Sequence, residues 1–211
     1  MIIDEDGFGP EEISKQIDVS RETFDRLETV LNVLDKWRHQ KNLLGPSEWR
    51  HIWRRHIWDS LQLLPLLPKQ PRIVDLGSGG GFPALPIACA LTVSNGGHVS
   101  LIETVGKKCA FLADAIREAD LNAVVINGRV ENHSNIDADI VSARAFAPLS
   151  KIIELAHPWF SRGAIGLFHK GESWQQELTA ASERWTFSSQ VNPSRSGGTG
   201  VILRISEVSD D

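Results

Sequence analysis

Residues 71–86 read Pro-Arg-Ile-Val-Asp-Leu-Gly-Ser-Gly-Gly-Gly-Phe-Pro-Ala-Leu-Pro, and no other stretch restricts the fold of this chain as strongly. The β-branched run at its start predicts a buried strand of a parallel sheet over residues 72–76. Gly77, Gly79 and Gly81 follow at alternate positions, with Gly80 between them. Such a loop suits positive φ and the close approach of a ligand to the backbone, which a Cβ would obstruct. Pro83 and Pro86 fit the first turn of a helix, where a missing N–H forfeits no hydrogen bond. Strand, glycine turn and helix start together predict a nucleotide-type cradle at the carboxyl edge of a sheet. A dinucleotide fingerprint requires a small residue at position 82, and Phe82 stands there instead.

From residue 72 onward, strand and helix patterns alternate. Strands are predicted at 72–76, 98–102, 123–127, 138–142, 164–168, 185–191 and 200–206, and helices at 83–92, 106–120, 148–160 and 172–183. This alternation predicts an α/β fold, a seven-stranded and mostly parallel sheet with helices on both faces. The last two strands, joined by loop 192–200, predict an antiparallel hairpin closing one edge. Ahead of the sheet, Phe24, Leu27, Leu31 and Leu34 share one face of a helix predicted over 10–40. After a break at 42–46, Ser47 is expected to cap a second helix that Pro65 and Pro68 end near Leu67. Residues 1–9 are expected to fray. The organisation expected is an N-terminal helical extension, 1–70, packed on a core formed by 71–211.

A chain of 211 residues can bury one substantial core. Its net charge of −5 argues against polyanion binding over the whole surface but leaves room for a local basic patch. Such a patch exists: Lys36, Arg38, Lys41, Arg50, Arg54 and Arg55 face the single acid Glu48 between positions 36 and 56. Trp37, Trp49, Trp53 and Trp58 are interleaved with them. Cations neutralise phosphates and aromatics stack bases, so an RNA-facing surface is one reading. The helical spacing of Trp49, Trp53, Ile57, Leu61 and Leu64 assigns Trp49 and Trp53 to packing on the sheet, leaving Arg54 and Arg55 as phosphate candidates. The acidic start of the chain lacks the basic and apolar regions of a signal peptide, and no apolar stretch reaches membrane-spanning length. A cytoplasmic protein without membrane contact is expected. Cys89 and Cys109 suggest two reduced thiols, with neither a disulfide framework nor a metal site.

Further candidates fall at predicted strand ends. Glu103 comes 26 residues after Gly77, where an acid accepts hydrogen bonds from ribose hydroxyls; a solvated strand-end glutamate is the plainer alternative. Arg144 offers a cationic fork for a carboxylate, a phosphate or an acceptor edge, or else a surface ion pair. Lys170 follows the fifth strand on the substrate side, and its neighbour His169 reads as structural.

The spacing Asp-x-Gly-x-Gly-x-Gly over 75–81 resembles motif I of methyltransferases that use S-adenosylmethionine. The seven predicted strands with a terminal hairpin resemble the class I, Rossmann-like methyltransferase sheet. The chain has neither the Asn-Pro-Pro-aromatic tetrapeptide of exocyclic-amine methylation nor a Pro-Cys nucleophile. A more specific set is Asn42-Leu43, Arg55-His56-x-x-Asp59-Ser60-Leu61, 75–86 with its Phe-Pro-x-Leu-Pro ending, Gly106-Lys107-Lys108-x-x-Phe111-Leu112, Gly128-Arg-Val-Glu131, Ser142-x-Arg144-Ala-Phe-Ala147 and Lys170-Gly171. In that order these resemble the ribosomal RNA small-subunit methyltransferase G family, also called glucose-inhibited division protein B. The resemblance implies methyl transfer from S-adenosylmethionine to N7 of one guanine in bacterial 16S rRNA, with 16S rRNA or the small ribosomal subunit as partner; a monomer is expected. It assigns Gly77, Phe82, Val130, Glu131 and Arg144 to cofactor binding, beside Gly79 and with Glu103 at the ribose. Arg54, Arg55, His56 and Lys170 are then substrate-side candidates. No general base is expected, because guanine N7 already presents an in-plane lone pair. The chain departs from the family pattern in having Glu103 for Asp, and Ser196-Gly-Gly-Thr-Gly200 where an Arg-His pair precedes the last strand. A small-molecule methyltransferase with the same cofactor is the alternative; it predicts a closed apolar pocket and binding indifferent to salt.

Overall fold

A computed structural model describes residues 2–41, 43–94 and 96–210; Asn42 lies outside these residues, as do the side chains of 39–41, Lys41 among them. Seven strands form one sheet: β1 (Arg72–Leu76), β2 (His98–Glu103), β3 (Ala123–Asn127), β4 (Ile140–Arg144), β5 (Ile165–Lys170), β6 (Trp185–Pro193) and β7 (Val201–Asp210). Their order is β3-β2-β1-β4-β5-β7-β6. The first five run parallel, and β7 is antiparallel to both β5 and β6. The order reverses between β1 and β4, which opens a crevice at their carboxyl ends.

Period-two alternation divides the core. Ile73, Val99, Leu101, Ile140 and Leu167 face one layer, while Val74, Ile102, Val141 and Phe168 face the other. The first layer contains α2 (Arg21–Lys41), α5 (Ala84–Val93) and α6 (Gly106–Glu118); the second contains α7 (Leu149–Phe160) and α8 (Trp174–Ser182). Helices of residues 10–66 therefore pack on one face of the sheet through Leu27, Leu31, Leu34, Trp53 and Trp58, all fully buried. Trp49 is only partly buried, with the Arg38 guanidinium 4.3 Å above its ring. No described helix is long and apolar enough to cross a membrane.

Several local expectations change. The helix predicted over 10–40 is two helices, α1 (Pro10–Ser14) and α2; Ser20 Oγ accepts the Thr23 N–H at 3.2 Å and starts α2 afresh. The second helix is segmented into α3 (Pro46–Trp49), a π-helical turn (Trp53–Trp58), α4 (Asp59–Leu61) and a 3-10 turn (Leu64–Leu66). Its cap is Gly45 ahead of Pro46 rather than Ser47, with Glu48 Oε2 accepting the Gly45 N–H at 2.9 Å. Residues 2–9 do not fray. Asp4 is buried and accepts the N–H groups of Trp53 and Arg54 at 2.8 and 2.9 Å, while Phe8 enters the core. These amides open the π-helical turn and would otherwise be short of partners, so the acidic start of the chain is tied down by the backbone it satisfies. β4 also begins two residues later than expected. Asp139 is held ahead of it by the Arg72 N–H and guanidinium, which carries Arg144 into the strand end.

Candidate active site

The turn between β1 and α5 has the positive φ its composition predicts: +66° at Gly77 and +53° at Gly79. The Phe146 ring lies directly over Gly77, in space that a Cβ would need. Gly79 faces open space, with nothing nearer to a Cβ than the Gly77 carbonyl at 3.6 Å. Its N–H donates to Glu103 Oε2 at 2.9 Å, and the Val105 N–H donates to Glu103 Oε1 at 2.8 Å. Glu103 is therefore a buried, fixed acceptor beside the loop. The Gly128 N–H reaches the Glu103 carbonyl at 3.0 Å and brings the next loop alongside, with Val130 buried and Glu131 exposed. An open glycine face, an anchored carboxylate and an apolar floor fit a ligand with a ribose and a flat base. Phe82 is also buried; it lies behind the loop, against the His56 ring at 4.8 Å.

Behind that loop, Asp75 at the end of β1 is completely enclosed. Burial lifts its carboxyl to about 6, against the lowering effect of the Ser142 and Ser78 hydroxyls. Ser142 Oγ donates to it at 2.6 Å.

Beyond the loop, across β4 and β5, lies an open cleft of about 520 Å³ bordered by Asp59, Arg144, Phe146, His169, Lys170 and Ser194. A second hollow of about 480 Å³ shares Asp59, Arg144 and Ser196 with it and is edged by Arg54 and Arg55. Asp59 joins the two. Its Oδ1 accepts the hydroxyls of Ser194 and Ser196 at 2.7 and 2.9 Å, and its Oδ2 lies 3.5 Å from Arg144 Nη1. Burial raises the Asp59 carboxyl, but neighbouring groups outweigh it and hold the carboxyl below its ordinary value. His169 is itself driven toward the neutral form by burial, so Arg144 and the serine hydroxyls provide most of that pull. The hairpin loop is fixed further by the Arg195 N–H on Gln62 Oε1 at 2.7 Å and by Trp58 Nε1 donating to the Arg195 carbonyl.

The substrate-side candidates separate in the structure. Arg55 is exposed and has no ion pair among the described residues. Arg54 is paired with Asp6 at 2.9 Å and lies over the Phe8 ring. Lys170 Nζ donates to the Ala147 carbonyl and to Glu177, both at 2.7 Å, with its stem buried at the cleft wall. His56 is interior, not groove-facing: burial first, then the nearby Arg144, lowers its pKa to about 3 and keeps the ring neutral. Arg144 is anchored through Nη2 to the Arg55 carbonyl at 2.8 Å. Asp59 was present in the sequence only as an unassigned member of the Arg55–Leu61 motif. Asp4, Asp6 and His51 bring possible ligand atoms within 4.8 Å of one another, but both carboxylates already accept hydrogen bonds from Trp53 or Arg54.

The family model described as rRNA small subunit methyltransferase G matches residues 23–199. The chain belongs to this family. The ribosomal RNA small subunit methyltransferase G of Hyphomonas neptunium is 58% identical over 191 residues, covering 90% of this chain and 91% of that protein. The protein of the same name from Rhodospirillum rubrum is 46% identical over 200 residues, 94% of this chain and 98% of that one. Among solved structures, a SAM-dependent methyltransferase from Aquifex aeolicus superposes with a TM-score of 0.57 at 16% identity, over 82% of this chain and 97% of that one. At that identity the likeness speaks for the fold, a class I methyltransferase sheet. In this member of the methyltransferase G family, the hairpin loop is clamped to Asp59 and Gln62 through serines and backbone.

Proposed function

We propose that this chain transfers the methyl group of S-adenosylmethionine to N7 of a guanine in small-subunit (16S) rRNA, with the cytoplasm as its place of action. One observation carries the reading: a ribose-type cradle at β1 and β2 lies beside an open, polar groove at β4 and β5, with Phe146 both covering Gly77 and bordering the groove, and Arg55 free of an ion pair at its edge among the described residues. S-adenosylmethionine supplies a methyl group on a positively charged sulfur. Glu103 accepts the ribose hydroxyls, Gly79 lets the ligand approach the backbone while Gly77 makes room for the Phe146 ring, and Val130 with Glu131 borders the adenine. Phe82 shapes the loop from behind by packing on His56. Arg144 borders both hollows of that groove. Arg55 takes a phosphate at the groove's outer edge, and Lys170 lines the wall beside the target base.

The reaction requires no proton acceptor. His56 is buried and neutral, and guanine N7 attacks with a lone pair it already exposes. What the chain contributes is in-line placement of nitrogen and methyl, an effect able to supply several kcal/mol, on the order of 7 or more when alignment is tight. The open groove suits a polymer better than the closed apolar pocket of a small-molecule enzyme.

The test is to map 7-methylguanosine in 16S rRNA from cells with and without the gene. Identical maps refute the proposal. Lys170→Ala is expected to lower methylation of small subunits at least about tenfold while S-adenosylmethionine binding persists. Unchanged methylation removes Lys170 from the site.

A further inference from the structure

Arg144 and His169 border the 520 Å³ cleft, and each has one buried nitrogen without a hydrogen bond: His169 Nδ1, and Arg144 Nη1, which has only the longer ion-pair contact to Asp59 Oδ2 at 3.5 Å. Orphans of this kind are uncommon in folded interiors and call for an explanation. They are also neighbours, because Arg144 and His169 are register partners on β4 and β5 and so lie on the same face of the sheet. Their hydrogen-bonding senses differ. A guanidinium can only donate. His169 Nε2 lies 2.9 Å from the Asp59 carbonyl, which can only accept, so Nε2 carries the proton and Nδ1 is left as a bare acceptor.

We infer that Arg144 and His169 form the base-reading pair of this site, Arg144 donating to guanine O6 and His169 Nδ1 accepting from guanine N1–H. The inference rests on the methyl-transfer reading above and adds how the base is chosen. Along one edge, guanine presents N7, O6 and N1–H in succession: acceptor, acceptor, donor. Along the carboxyl edge of the sheet, β1, β4 and β5 follow in the same order. Neighbouring strands lie about 4.8 Å apart, so β1 and β5 are separated by about 10 Å, room for one purine between the methyl donor and His169. With N7 turned toward the glycine loop, O6 meets the β4 donor and N1–H meets the β5 acceptor. Adenine inverts both contacts, since N6 donates and N1 accepts. It would set donor against donor and lone pair against lone pair, leaving His169 Nδ1 unpaired and Arg144 with its Asp59 contact alone. Sites built on such contacts reject the mismatched analogue far more strongly than apolar pockets do. Placing the cation at O6 also keeps it off N7, which gains positive charge in the reaction.

The test uses full-length enzyme, S-adenosylmethionine, and small-subunit RNA bearing guanosine, inosine or 2,6-diaminopurine riboside at the modified position. Inosine keeps O6 and N1–H, whereas diaminopurine keeps the 2-amino group and loses both. Wild-type kcat/KM should be within about threefold for guanosine and inosine and at least about 100-fold lower for diaminopurine. His169→Leu should lower kcat/KM for guanosine and inosine by about 10- to 100-fold and leave diaminopurine unchanged. His169→Gln, whose amide oxygen can accept, should recover most of the loss. Calorimetric titration with S-adenosylmethionine should give wild-type affinity for both variants. Equal loss on all three bases, no recovery in His169→Gln, or weakened S-adenosylmethionine binding would each show a merely structural histidine and overturn the inference. A wild-type enzyme that methylates no guanosine N7 would instead sink the underlying reading.

Discussion

Removing the Asp59 carboxylate should be one of the most damaging single changes outside the apolar core. Two serine hydroxyls from the hairpin loop and the Arg144 guanidinium converge on it, and its surroundings are almost closed to solvent. Leaving a mostly buried guanidinium without its counter-charge costs about 3–5 kcal/mol. Each hydroxyl bonded to a charged acceptor contributes about 1.5–3 kcal/mol, but the three interactions share one group and do not add in full. Asp59→Ala is therefore expected to lose about 4 kcal/mol, and Asp59→Asn, which keeps a carbonyl acceptor, about 2 kcal/mol. Urea unfolding at pH 7 measures both, and limited proteolysis within 193–200 should show the loop released. The pH dependence supplies an internal control. The folded carboxyl lies below its ordinary value of 3.8, so its stabilisation is complete above that pH and is lost as pH falls through the folded value. The gap between wild type and Asp59→Asn should thus close in acid. A loss under about 1 kcal/mol for Asp59→Ala, or a gap unchanged down to about pH 3, would refute this account of the network.

The two loop glycines should behave differently. Gly79→Ala carries only the left-handed backbone cost of about 1–2 kcal/mol, whereas Gly77→Ala must also displace the Phe146 ring and should be the less stable in urea; equal losses would be contrary evidence. Both should weaken S-adenosylmethionine binding. Asp75 has its folded pKa raised to about 6, so the stability it contributes is full below the unfolded value of 3.8 and declines as pH rises through 6. Asp75→Asn should remove that decline and gain about 2 kcal/mol on wild type at pH 8 relative to pH 4; parallel pH profiles would contradict it. Arg55→Ala should weaken RNA binding and reduce the log–log salt slope by about 1, with a smaller effect from Arg54→Ala because Asp6 already neutralises that side chain. A larger effect from Arg54→Ala would reverse the assignment.

Much of the architecture is legible in the order of residues. All seven strands, the glycine turn and the closing hairpin follow from short-range patterns, because period-two burial and positive φ are written in neighbouring residues. Glu103 is legible for the same reason, being a strand end at a set distance from the loop it supports. Expectations failed where a helix depended on distant partners. The split at Ser20 has a local cap, but the π-helical turn at Trp53–Trp58 depends on Asp4, some fifty residues earlier in the chain.

The amino-acid order by itself determined the sheet, the cradle at its edge and the family of the chain, since these rest on contacts between residues close in sequence or on a motif read in a line. Only the tertiary structure revealed that Asp59 clamps Ser194, 135 residues away, that His56 is interior, and that His169 keeps a lone pair beside Arg144. The physical reason is that burial and the sense of a hydrogen bond belong to surroundings, and surroundings exist once distant segments of chain have met.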